Sequence, residues 1–255
     1  MLSIQHLDKR FGGVHATKDI SIDFPDGSLT AIIGPNGAGK TTFFNLISGA
    51  NRPDSGNVIL DGQSLVGKSC VEVVRLGMAR AFQVASLFPS LTVTEALTAA
   101  VLSHQRRSWI LLKRFPLVEA KTSVDEIIEL LELQKKATTL SRNLSHGDQK
   151  LLDIGLSLAM KPKVLLLDEP TAGMGPDERW RMINKVQDLW RVKKMTVLFI
   201  EHDMDIVFKI AQKIFVLKYG AVLAEGTADE VRNNQDVIDA YLGTDHHLAA
   251  AAGEK

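Results

Sequence analysis

The sequence predicts an α/β layered domain with a helical insert, and three observations predict it. Short apolar runs recur at residues 29–33 (LTAII), 164–167 (VLLL) and 196–200 (TVLFI). Such runs are the strands that a parallel sheet buries on both faces. Helical patterns alternate with them, as in a layered α/β domain. From about residue 84 to residue 157 no convincing strand pattern is found, which marks a helical insert.

Each element follows in order. Residues 2–7 (LSIQHL) and 19–24 (DISIDF) alternate apolar and polar side chains, the period of a half-buried strand. PDG at 25–27 is turn chemistry. The strand at 29–33 runs into a glycine-rich loop and then a helix through about residue 49. Residues 57–60 with Asp61-Gly62 suggest a strand and hairpin turn, and 71–81 carry a helical pattern. Within the insert, Val124, Ile127, Ile128 and Leu131 recur at helical spacing, opposite Asp125, Glu126, Glu129 and Glu132. This stripe reads as one that packs on neighbouring helices rather than on a membrane surface. Residues 177–190 are helical, and 214–217 and 221–224 flank Tyr219-Gly220 as a hairpin. The ending LAAAAGEK reads as a flexible tail, and there is no internal repeat.

Composition narrows the function classes. The 255 residues are ample for one sizeable core. Lys plus Arg equals Asp plus Glu at 30 each, without the basic excess or stripe that nucleic-acid binding asks for. Arg106 and Arg107 read as a solvated helix end. Cys70 is the only cysteine, which leaves no internal disulfide and fits a reducing compartment. The start, MLSIQHLDKR, lacks a signal-peptide pattern. SWILL at 108–112 falls well short of the roughly 20 apolar residues that span a bilayer. Any membrane crossing would fall to another chain.

The strongest motif follows the strand at 29–33. Gly34, Pro35, Asn36, Gly37, Ala38, Gly39, Lys40 and Thr41 spell G-x-x-x-x-G-K-[ST] between a predicted strand and a predicted helix. Glycines let backbone N–H groups close around phosphate oxygens, and the helix start adds partial positive charge. Lys40 would reach the β- and γ-phosphates, and the Thr41 hydroxyl would ligate Mg²⁺. The Asn-Lys-x-Asp pattern of a guanine site is missing. Asn184-Lys185-Val186-Gln187 comes nearest but lies inside a predicted helix, which favours ATP.

A second motif, VLLLDEP, ends a buried strand on Asp168 and Glu169, where open α/β sheets bind ligands. Asp168 would support Mg²⁺, and Glu169 would orient or deprotonate the attacking water. The bland reading is a solvated acidic turn. His202, in LFIEHD, reads either as a packed or solvated residue or as a contact to the same γ-phosphate. Gln83, in AFQVASLFP, carries an amide that can sense Mg²⁺ or water. LSHGDQK at 144–150 opens another helix, with Ser145 as cap and Asp148 three residues on, a capping-box pattern.

Together these residues resemble the ATP-binding subunits of ABC transporters, over roughly residues 2–243. The resemblance implies a P-loop NTPase core with a mainly parallel sheet, an N-terminal antiparallel β subdomain and an α-helical subdomain inserted at about 84–157. One ATPase domain would then occupy 1–243, with 244–255 as tail. It places residues 34–42, Thr42 included, at the Walker A motif and 164–169 at the Walker B motif. Gln83 falls at the Q-loop, where it would contact metal and water, and His202 at the switch histidine. Phe11 falls at the adenine-stacking aromatic position, and LSHGD at the LSGGQ signature. In that family the signature loop binds the γ-phosphate held by a second subunit. Ser145 would thus offer its hydroxyl, and Gly147 close backbone approach, to a partner's ATP. Departures are His146 for glycine, Asp148 for glutamine, and Ala172-Gly-Met-Gly175 where an aspartate is usual.

A narrower resemblance, carried by RFGG at 10–13, LSHGDQKLLDIGLSLAM, DEPTAGMGP and the ending YLG, points to importers of branched-chain amino acids, amides and urea. It implies these partners: a second ATP-binding subunit, this chain or a paralogue; transmembrane permease subunits; and, indirectly, a solute-binding protein. It also implies a place at the cytoplasmic face of the cell membrane, with ATP and Mg²⁺ as cofactors. The rival readings are a soluble ABC ATPase of DNA repair or translation, and an ATP-dependent binding switch without turnover.

Overall fold

Apolar side chains at Leu2, Ile4, Ile20, Ile22 and Phe24, each at most 4% exposed, build one face of the first sheet in the computed structural model. The structure describes residues 1–81, 88–105 and 118–241. The expectations on Gln83, Arg106, Arg107, residues 108–112, the two residues after Tyr241 and the tail lie outside them. The described chain divides into two compact units: residues 1–73 with those from 196 on, and residues 74–195.

In the first unit, β1 (Leu2–Phe11) and β2 (Val14–Phe24) pair antiparallel. β3 (Leu29–Ile33) leads towards α1 (Lys40–Ile47), and β4 (Ser55–Leu60) and β5 (Gln63–Ser64) return to the first sheet, whose order is β2-β1-β4-β5. β1 is longer than its alternating stretch predicts. Register shifts interrupt its pairing between Ile4 and Leu7 and again up to Arg10. Each irregularity resets which face a side chain meets, so the period of two fades while the ladder continues.

α2 (Cys70–Leu76) ends sooner than expected, because residues 71–81 are not one helix. Gly77 takes φ 109°, and its carbonyl accepts from the Lys163 and Val164 N–H groups at 2.7 and 3.0 Å. β6 (Met78–Ala81) follows and, within the second unit, pairs parallel with β7 (Val164–Asp168). Ladder formation overrides local helical spacing here.

The second unit also holds α3 (Val93–His104), α4 (Val118–Leu130), α5 (His146–Ala159) and α6 (Pro176–Lys193). Among its described residues from 88 to 157 the only β pairing is an isolated bridge, Thr92 to Leu140. The predicted stripe is buried: Val124, Ile127, Ile128 and Leu131 are at most 6% exposed. α5 lies close to its neighbours at Gly155, where an added Cβ would stand 2.7 Å from Leu131 Cδ1 and 3.1 Å from Leu97 Cδ2.

Back in the first unit, β8 (Thr196–Ile200) and β9 (Lys213–Lys218) flank β3 in parallel. Between them runs α7 (Met204–Ile210). β10 (Ala221–Gly226) closes the expected hairpin on β9, and α8 (Ala228–Arg232) follows. The class is therefore α/β, with an N-terminal antiparallel sheet, mainly parallel strands elsewhere and a helical portion between them.

Candidate active site

Two glycines of the phosphate loop leave no room for a Cβ. Gly34, at φ 148°, passes so close to β9 that a Cβ would lie 2.1 Å from the Leu217 carbonyl oxygen. Gly39, at φ 102°, would put one 2.3 Å from the Ala16 carbonyl oxygen. Gly37, at φ 78°, borders open space. Gly39 is the residue before α1; no side chain caps that helix, and its first turn has no acidic residue. Its N–H groups are therefore presented outward, with the positive end of the helix behind them. Lys40 is only 7% exposed, and its Nζ donates to the Gly34 and Pro35 carbonyls at 2.7 and 3.1 Å. Ala38 is buried, Asn36 and Thr41 are exposed, and Thr42 is half-buried. Burial pushes the Tyr241 phenol up to about 12.

His202 and Phe11 belong to the same unit. β3 and β8 are parallel neighbours, Ile32 opposite Ile200, so the phosphate loop and His202 leave the sheet at the same edge. The His202 ring is exposed, and its backbone N–H donates to the Glu201 carboxylate at 3.3 Å. Glu201, 4% exposed, was not expected from the sequence; a buried acid at the end of an apolar strand was the available signal. Phe11 is 47% exposed at the end of β1, with Lys9 Nζ 5.3 Å from its ring centre.

The carboxylate pair and the signature loop belong to the second unit. Asp168 ends β7 with its side chain 3% exposed, and Arg80 Nη2 donates to Oδ2 at 2.6 Å. Its other oxygen, Oδ1, is buried with no hydrogen-bond partner among the described residues. A buried carboxylate oxygen in that condition suits a cation. Glu169 is half-buried and adopts φ 49°, the left-handed region. Its carbonyl accepts from Lys150 Nζ at 2.8 Å and from the Ala172 N–H at 3.1 Å.

Ser145 caps α5 as expected: its Oγ accepts from the Asp148 N–H at 3.2 Å. The Asp148 carboxylate returns to the Ser145 hydroxyl at 2.6 Å and not to the Ser145 N–H. A Glu in the same place does complete the box at Thr92 and Glu95, one methylene longer. Lys136 Nζ pairs with the same Asp148 oxygen. Ser145 and His146 are exposed, and Gly147 is buried. His146 Nε2 stands 3.2 Å from the Ala172 carbonyl oxygen. Gln83 lies outside the described residues. Arg80, Lys136 and Lys150 were missed by sequence reasoning. Lys150, a lysine on the buried face of a helix, is the one that its position could have flagged.

Backbone N–H groups at an uncapped helix start, beside a buried ammonium, suit polyphosphate. Fold and loop thus define a phosphate-loop nucleotide-binding protein. Comparison narrows the class. Residues 17–172 match the family described as ABC transporter, and residues 221–247 match Branched-chain amino acid ATP-binding cassette transporter. The chain is 37% identical over 251 residues to the high-affinity branched-chain amino acid transport ATP-binding protein LivG of Escherichia coli (strain K12), covering 95% of this chain and 98% of LivG. It is 35% identical over 249 residues to BraF of Pseudomonas aeruginosa, a protein of the same description, covering 95% and 98%. Its fold matches the ADP conformation of MJ1267, an ATP-binding cassette of an ABC transporter, with TM-score 0.83, 31% identity and coverage of 95% and 98%. The chain belongs to the ABC transporter family as an ATP-binding cassette, and its chemistry is ATP hydrolysis.

Proposed function

We propose that this ATPase powers an importer of branched-chain amino acids or related amides or urea. It would work as a pair of ATP-binding subunits, held at the cytoplasmic face of the membrane by permease subunits and served by a solute-binding protein. The names of LivG and BraF support the solute class. Among the described residues no helix is long and apolar enough to cross a membrane.

The observation that carries the reading is the uncapped start of α1 with Lys40 folded over the Gly34 and Pro35 carbonyls. An ammonium on neutral carbonyls exchanges those bonds for phosphate oxygens at a gain, because charge-assisted bonds are stronger. Residues 34–42 hold the β- and γ-phosphates, and Phe11 stacks on the adenine. Asp168 and Thr41, with Gln83, would hold Mg²⁺, and Asp168 Oδ1 fits that role. Bound there, Mg²⁺ supplies charge neutralisation of the phosphates. Glu169 orients the attacking water and draws off its proton, and His202 contacts the γ-phosphate. Ser145 and Gly147 of a second subunit close the site from the other side.

The test is an ATPase assay on the purified chain. The natural protein hydrolyses ATP. Glu169→Gln binds ATP, turns over very slowly and accumulates as a dimer. Equal rates in the two would remove Glu169 from its role, and a native complex without permease subunits would remove the transport assignment.

A further inference from the structure

Two side chains of α5 hold the turn that carries Glu169. Glu169 occupies the left-handed region at φ 49°, which costs a residue with a Cβ about 1 kcal/mol or more. Such a conformation persists only where its surroundings enforce it. The turn is closed internally by the Ala172 N–H on the Glu169 carbonyl at 3.1 Å and by the Met174 N–H on the Thr171 carbonyl at 3.2 Å. From α5, Lys150 Nζ donates to the same Glu169 carbonyl at 2.8 Å. One helical turn earlier, His146 Nε2 lies 3.2 Å from the Ala172 carbonyl oxygen, a distance at which its N–H donates. A Cβ at Gly173 would stand 3.2 Å from that same nitrogen. Residues four apart on a helix share a face, so one face of α5 grips the turn at both ends.

The two contacts are unlike in setting. Lys150 is 6% exposed, so its ammonium is desolvated and its bond to a carbonyl is charge-assisted and short of competing water. His146 is exposed and makes the outer contact. We infer that Lys150 and His146 are positioning residues for Glu169: they set the backbone from which its carboxylate is aimed, without themselves touching the reacting atoms. The inference rests on the proposed role of Glu169 in handling water. It also gives His146 a task within its own chain, at the segment that lacks the usual aspartate.

The experiment uses the full-length chain with Lys150→Met, which keeps length and removes the donor, and Lys150→Arg, which keeps a donor. Lys150→Met should lower kcat about tenfold or more, with KM for ATP within about twofold, because misplacing a catalytic group slows chemistry without weakening ground-state binding. Lys150→Arg should recover most of the rate. Added to Glu169→Gln, Lys150→Met should change the residual rate less than about twofold, since no carboxylate is left to misplace. Amide hydrogen exchange over residues 171–174 should quicken in Lys150→Met. If that variant does not fold, the surface variant His146→Ala carries the test, with faster exchange at Gly173 and a lower kcat. Unchanged kcat and unchanged exchange would overturn the inference, as would an equal loss of rate with and without the Glu169 carboxylate. Should Glu169→Gln hydrolyse ATP as fast as the natural chain, the reading of Glu169 fails, while the exchange rates still decide whether α5 holds the turn.

Discussion

Lys136 and Asp148 form an ion pair beside the first turn of α5, and the Asp148 oxygen that takes part also accepts the Ser145 hydroxyl at 2.6 Å. A carboxylate here is favourable for the helix but unfavourable for an incoming phosphate. Lys136 offsets that charge. Its side chain is 44% exposed, so solvent screens the pair and its worth is about 1 kcal/mol. Lys136→Met in the Glu169→Gln background should therefore raise the ATP concentration needed for dimerisation about fivefold. Asp148→Gln should cancel most of that loss, because the charge to be offset is gone. Sedimentation against ATP concentration reads both, and a Lys136 effect that survives Asp148→Gln would show that the lysine acts in another way.

Arg80 and Asp168 present the opposite case, with side chains only 11% and 3% exposed. Removing one partner of such a pair leaves a buried charge, at a cost of about 3–5 kcal/mol. Arg80→Met should lower the free energy of unfolding, measured by urea titration, by that order. Arg80→Met with Asp168→Asn should be clearly more stable than Arg80→Met alone. Equal midpoints for the single and double variants would mean that the carboxylate is stabilised by other groups.

What was legible in the sequence was local. The phosphate loop is a run of eight residues whose chemistry needs nothing distant, and the α4 stripe is a period of 3.6. β6 was not legible, since Met78–Ala81 is four residues long, follows a helical pattern and becomes a strand only by pairing with β7. Arg80 was missed for the same reason: its partner lies 88 positions away. Lys150 and His146 sit in a recognisable helix start, yet their partners, Glu169 and Ala172, come from a turn that the folded chain brings to them. The length of β1 was obscured by its irregular register.

Gly147 has two reasons to be glycine, and they can be separated. A Cβ there would stand 2.3 Å from Glu178 Oε1, within its own chain. The proposed second reason is backbone approach to a partner's phosphate. The Glu178 carboxylate is the end of a flexible side chain and can swing aside, so Gly147→Ala should fold with stability near that of the natural chain. ATP-driven dimerisation should nonetheless fall. Pairing Gly147→Ala with Glu178→Ala should leave that defect in place, because the methyl still faces the phosphate. Full recovery of dimerisation in the pair would assign the glycine to Glu178 alone.

α3 carries a pH-dependent share of stability. The Glu95 carboxylate accepts from the Thr92 N–H at 2.8 Å and the Thr92 hydroxyl at 2.9 Å. These bonds, the backbone one foremost, hold its carboxyl below the ordinary value of 4.5. A depressed acid binds its proton more readily in the unfolded chain. Its contribution is therefore complete above the unfolded value and disappears as pH falls through the lower folded value. Thr92→Ala removes the hydroxyl from both sides of the box and should cost about 1 kcal/mol at neutral pH. Glu95→Gln, which cannot titrate, should be less stable than the natural chain at neutral pH, and the gap should narrow as pH drops below about 4.5. Urea midpoints for the two proteins across that window measure the gap directly. A gap that stays constant, or widens towards acid, would show that the charged form of Glu95 is not what secures the start of α3.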